Sequence, residues 1–164
     1  MLYKKSGVSP PAVTEAFKTY FEQLKKLDAR DATEHTLRPP LHNLLITLAN
    51  HQNSKINVIP EPRHDASGRG APDVKFKIGE SILGYLENKK IDANLDQVLK
   101  SDQIAKYKKL SGNLILTNYL QWVWIKDGAV IERETLDLGQ TAKAEERFPK
   151  LSLSIPLKNP LTTY

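Results

Sequence analysis

The chain has 164 residues, no cysteine and a formal charge of +5, with a pI near 9.3. That length suits one domain with a real core; the missing cysteines exclude disulfides and thiolate metal sites, and no window approaches the roughly 18 apolar residues of a membrane helix. The lysine surplus fits an anionic partner such as nucleic acid, and equally a plain basic surface; the opening MLYKKSGVSPPAV lacks a signal-peptide core, so the expected location is the cytoplasm.

The first element is a helix over 8–28. Phe17, Tyr20, Phe21 and Leu24 recur at helical spacing, and Pro10 and Pro11 suit a first turn. A second helical segment covers 31–51, with Leu41, Leu44, Leu45 and Leu48 as its stripe. Pro39 and Pro40 resist a straight helix, so either one turn at Asp31–His35 precedes a break or the helix starts near Pro39. Either way Glu34 lies at or just before the N-terminal end.

KINVIPEPR (55–63) reads as a strand whose prolines suggest an edge, followed by a loop over 64–71. Strands follow at 73–78 and 81–91, joined tightly at Gly79-Glu80. A helix starts at Asn94-Leu95-Asp96 and runs to about Leu110, where Gly112 ends it. NLILTN (113–118) is a strand of the buried type, and 121–126 with 129–136 forms a hairpin around Asp127-Gly128. Trp122 and Trp124 share one strand face and are expected to pack on the tail or on another domain. Residues 137–164 show no period and read as an extended tail or the start of a linker. The division is thus 1–30 as an N-terminal helix on the core, 31–136 as the core with its hairpin, and 137–164 as tail. Local strand pairing followed by a helical crossover implies an α/β (α+β) mixed sheet with helices over it.

Side chains that can do chemistry gather around 73–91. Alternation puts Glu87 and Lys89 on one strand face and turns Asn88 to the other. The Gly79 turn returns one strand on its neighbour and brings Asp73 toward Glu87. Two carboxylates and the Asn88 carbonyl are oxygen ligands suited to Mg²⁺, and a lysine beside them can orient or deprotonate a water. An isolated E-x-K is ordinarily a solvated strand with a salt bridge; the preceding Pro-Asp, the apolar neighbours and the following helix argue for more. Gln103 and Tyr107 share a helix face, where they can hold a lysine, a water or a phosphate. Glu34 is either a further metal ligand or a helix N-terminal acid favoured by the dipole. Arg63, Arg69 and Lys106 are the candidate phosphate contacts, Arg69 foremost because it lies in the loop beside Asp73. The four histidines show no paired zinc spacing, and no nucleotide-type glycine loop is present.

Pro72-Asp73 followed by Glu87-Asn88-Lys89 resembles the PD-(D/E)xK nuclease motif, and Gln103-Ile-Ala-Lys-Tyr107 resembles the QxxxY motif of its RecB-like branch. The blocks TEHTLRPPLHNLL, EPR, GRGAPD, GYLENKKI, LDQVLKSDQIAKY and NLILTNYLQWVW, in that order, resemble the N-terminal nuclease domain of single-polypeptide restriction–modification enzymes of Type ISP or Type IIG. The resemblance implies a restriction-endonuclease-like αβββαβ core with an added C-terminal β-hairpin. It also implies Mg²⁺ (or Mn²⁺) on Asp73 and Glu87, catalysis by Lys89, and hydrolysis of DNA. The partners it implies are DNA, covalently linked methyltransferase and target-recognition domains with or without a helicase-like motor, no membrane, and a second nuclease domain for double-strand breaks. Asn88 departs from the usual apolar residue at its position. The chain is then a cut-out domain of a longer enzyme or a free-standing relative. The rival readings are a non-catalytic DNA-binding or docking module on the same fold, and a free-standing RecB-like repair exonuclease.

Overall fold

The computed structural model describes residues 11–27, 34–60 and 70–136. Among these, the elements in chain order are α1 (Pro11–Lys26), α2 (Glu34–Gln52), β1 (Asn57–Pro60), β2 (Val74–Ile78), β3 (Ser81–Asn88), α3 (Leu95–Leu99), α4 (Asp102–Leu110), β4 (Asn113–Thr117), β5 (Gln121–Lys126) and β6 (Ala129–Thr135). The strands form one sheet in the order β1-β2-β3-β4-β5-β6. All neighbours are antiparallel except β3 and β4, which run parallel. Two parallel neighbours need a crossover, and α3 and α4 supply it. This is the expected mixed sheet, with the αβββαβ order followed by a hairpin. The 137–164 tail lies outside the described residues. No helix among the described residues is long and apolar enough to cross a membrane.

Side chains fill both faces of the sheet. On one, Phe17, Tyr20 and Phe21 of α1 and the leucines of α2 meet Val74, Phe76, Leu86 and Ile115. On the other, Ile104 and Tyr107 of α4 and Leu95 of α3 meet Tyr85, Leu114, Leu116, Val123 and Ile125. Trp122 and Trp124 belong to the first cluster, 2% and 3% exposed. They belong to the cluster under α1 and α2; the tail they were expected to meet lies outside the described residues. Period-two alternation turns both indoles inward, where apolar area is removed from water most completely.

Three expectations are revised. α2 runs unbroken through Pro39 and Pro40. The two missing N–H groups reach back only to the carbonyls of His35 and Thr36, near the helix start, and burial of Leu37, Leu41, Leu44, Leu45 and Leu48 offsets the loss. The helix expected over 95–110 is two. Ser101 interrupts it with extended backbone and caps α4, its hydroxyl accepting from the Ile104 amide, while Asn94 caps α3 by accepting from the Asp96 and Gln97 amides. Gly112 does not end α4 with a left-handed turn: the C-cap is Ser111 in extended backbone. A side chain at Gly112 would instead meet Asp127, its Cβ lying 2.7 Å from Oδ1. The hairpin turns do use positive φ, at Gly79 (55°) and at Asp127-Gly128 (49° and 83°).

β3 and β4 approach most closely at Gly84, where a Cβ would lie 2.9 Å from the Asn113 carbonyl oxygen and 3.0 Å from its Cβ. Backbone must move to admit one. Gly84→Ala is therefore expected to destabilise the fold by about 1–3 kcal/mol. An unchanged denaturant midpoint would show that the strands can separate without cost.

Candidate active site

Asp73 stands one residue before β2, and Glu87 is the penultimate residue of β3. The antiparallel register pairs Val74 with Leu86, so the next pair outward is Asp73 with Glu87. The two are cross-tied. The Asp73 amide donates to Glu87 Oε2 at 3.2 Å, and the Asn88 amide donates to Asp73 Oδ2 at 2.9 Å. Each carboxylate is thus held by backbone of the other's strand. Asn88 turns its side chain to the opposite face as expected, donating to the Tyr119 hydroxyl at 3.0 Å in the core under α1 and α2. β3 ends here, earlier than expected, and the Lys89 amide makes the last bond of the parallel pairing with β4, donating to the Thr117 carbonyl at 2.8 Å.

Lys89 lies on the Glu87 side. Its ammonium donates to Glu87 Oε1 at 2.8 Å and to Gln103 Oε1 at 2.6 Å. The Gln103 amide nitrogen donates to the Tyr107 hydroxyl at 3.3 Å, and that hydroxyl donates to the Ala71 carbonyl at 3.2 Å. A relay therefore runs from Glu87 through Lys89, Gln103 and Tyr107 to the segment leading into Asp73. It fixes the Gln103 amide so that its oxygen faces the lysine. Two of the three lysine donors are used, leaving one for a water or a phosphate oxygen.

The remaining candidates are placed unevenly. Glu34 opens α2, but its side chain lies outside the described residues, as do Arg63 and Arg69. Lys106 is exposed on α4. One neighbour escaped the sequence reading. Arg38 of α2 sets Nη2 3.3 Å from Asp73 Oδ1. The signal available was its place directly before Pro39 in TLRPP, which carries no chemistry by itself.

No protein-family model and no curated protein matches the chain. Among solved structures it is similar to a chain in a cryo-EM structure of a DrdV–DNA complex, with a TM-score of 0.63 and 21% identity over 82% of this chain. It spans 13% of the length of that chain. At this identity the likeness shows a shared fold.

Electrostatics make the cross-tied pair unusual. Glu87 is 4% exposed. Burial, and then the charge of Asp73, push its carboxyl up from the ordinary 4.5 to about 7, against the pull of Lys89. Tyr107 is raised as well, first by burial and then by Glu87, so its hydroxyl keeps its proton and remains a donor to Ala71. A divalent cation fits these residues. The donors are hard oxygens, and the two carboxylates lie side by side, each already beside one cation, Arg38 at Asp73 and Lys89 at Glu87. No group of three His, Cys, Asp or Glu gathers among the described residues. Mg²⁺, which keeps several waters, needs no more than one or two carboxylates.

Without metal, Glu87 holds its proton more tightly folded than unfolded. The stability this contributes is fully present below about pH 4.5 and is lost as the pH rises through about 7. In chelator-treated buffer, the unfolding midpoint of Glu87→Gln relative to wild type should climb across that window. A difference that stays level would contradict the placement of Glu87 as a buried, repelled carboxylate.

Proposed function

We propose that the chain is a Mg²⁺-dependent DNA endonuclease domain of the PD-(D/E)xK type, hydrolysing phosphodiester bonds, with Mn²⁺ able to substitute. The observation that carries this reading is the Lys89 ammonium, fixed between Glu87 and Gln103 beside two cross-tied carboxylates. A solvated salt bridge would require none of that support. The DNA in the DrdV complex belongs to that protein; the shared fold supports the same class of partner here.

Asp73 and Glu87 would hold the ion, with the Asn88 carbonyl beside them and Glu34 as the further candidate from the start of α2. Bound there, it would acidify a water and offset charge on the phosphate. Lys89 directs its remaining N–H to that water or to a phosphate oxygen. Gln103 keeps the lysine aimed. Tyr107 holds Ala71, and through it the approach of the chain to Asp73. Arg38 offsets charge at Asp73. The chain's small share of the DrdV chain supports a domain of a larger restriction–modification enzyme, followed by methyltransferase and target-recognition domains. Sequence choice would then be made elsewhere, since phosphate contacts carry little base information. Double-strand breaks would require two nuclease domains to meet.

Supercoiled plasmid with Mg²⁺ tests the reading. Wild type should nick it, which also separates this activity from an end-dependent exonuclease. Lys89→Ala should lose about 100-fold or more in rate, and Gln103→Leu about 10-fold if positioning is its role. Equal nicking by wild type and Lys89→Ala would remove the catalytic assignment.

A further inference from the structure

The alternation that places Asp73 also fixes two lysines farther along β2. Val74 and Phe76 are 5% and 1% exposed in the cluster under α1 and α2. Asp73, Lys75 and Lys77 therefore face the other way, the side of the sheet that carries Glu87 and Lys89. The cluster on that side draws on β3, β4 and β5 and takes nothing from β1 or β2. Among the described residues, then, α4 covers the sheet as far as β3 and stops. Beside it lies a shelf. Lys75 and Lys77 form its floor, flanked by Ile59 and Asn57, their register partners on β1. The near flank of α4 forms its wall, anchored at the catalytic end by Gln103 on Lys89 and Tyr107 on Ala71. Lys106, three residues after Gln103, lies on that flank and is exposed.

The charges on this shelf are poorly spent within the protein. Lys77 Nζ is 3.8 Å from Glu80, whose side chain is fully exposed, so solvent screens the pair. No carboxylate among the described residues pairs with Lys75. Two strand positions separate the lysines, about 7 Å, and they lead away from the carboxylates that would hold a cation against one phosphate. We infer that this shelf seats the DNA backbone beside the scissile phosphate, with Lys75 and Lys77 beneath it and Lys106 at its side. The inference deepens the nuclease reading and rests on it for the identity of the polyanion. The complementarity is specific: a polymer with one phosphate at the Asp73–Glu87 end must carry further phosphates along any path from it, and β2 offers the row of cations to meet them.

Anisotropy of a short labelled DNA duplex, measured in chelator over a range of salt, tests the shelf without any bond being cut. Lys75→Gln/Lys77→Gln should weaken binding and reduce the log–log salt slope by about 2, and Lys106→Gln should reduce it by about 1. Lys75→Arg/Lys77→Arg should keep the wild-type slope, which separates lost charge from a damaged fold. Lys18→Gln/Lys25→Gln, exposed on α1 across the sheet, should leave the slope unchanged. A wild-type slope in Lys75→Gln/Lys77→Gln, equal losses in the α1 variant, or no salt-dependent binding by wild type would each overturn the proposal. Because the readout is binding, a failure of cleavage in the plasmid assay leaves this result standing, and the reverse also holds.

Discussion

Two carboxylates placed side by side at the edge of the core repel each other, and everything at this site follows from how the chain keeps them together. Asp73 and Glu87 are restrained by each other's backbone: one amide donates from Asp73 to Glu87, and another from Asn88 to Asp73. Those bonds exist only in the register that pairs Val74 with Leu86. A slip of one residue would turn Glu87 into the apolar core under α1 and α2 and put Leu86 in the polar site. Leu86, fully buried against the α1–α2 layer, resists that slip, so the apolar core and the polar site enforce the same register.

Topology supplies the rest. β3 and β4 are parallel, so the chain must cross over between them, and the crossover lays α4 on the face that carries Glu87 and Lys89. Ser101 starts α4 so that Gln103 and Tyr107 fall above Lys89 and Ala71. The opposite layer is joined to the site as well. Asn88 donates to the Tyr119 hydroxyl, the Tyr119 carbonyl accepts from the buried Tyr20 hydroxyl at 2.7 Å, and the Tyr119 amide donates to Thr117 Oγ1 at 3.0 Å. Tyr119 holds a φ of 76°, costly for a non-glycine residue, and these three hydrogen bonds surround it. Charge is offset pairwise: Arg38 serves Asp73 and Lys89 serves Glu87. Burial and the charge of Asp73 still push the Glu87 carboxyl up to about 7, so a cation bound there would have to displace its proton.

Much of this was legible in the sequence, because period-two alternation is rigid. It placed Glu87 and Lys89 on one face and Asn88 on the other, and the Gly79 and Asp127-Gly128 turns paired the strands around them. Helical spacing put Gln103 and Tyr107 on one side of a helix. What the sequence hid depends on contacts between elements. Arg38 reaches Asp73 from 35 positions away, and only the packing of α2 reveals it. Pro39 and Pro40 read as a break because local preference cannot weigh the leucine stripe that continues through them. The break at Ser101 was missed, because the apolar period on either side read as one helix. Gly112 was assigned by the frequency of glycine at helix ends, whereas its place is set by the approach of Asp127.

The central claim is that Asp73 and Glu87 form one seat for a divalent ion. Calorimetric titration of the chain with Mn²⁺, beside Asp73→Asn and Glu87→Gln, tests it most directly. The account expects saturable binding by wild type that is lost in both variants, with their folds intact by circular dichroism. Saturable binding that survives either substitution unchanged, or a wild type that takes up no ion at all, would contradict it.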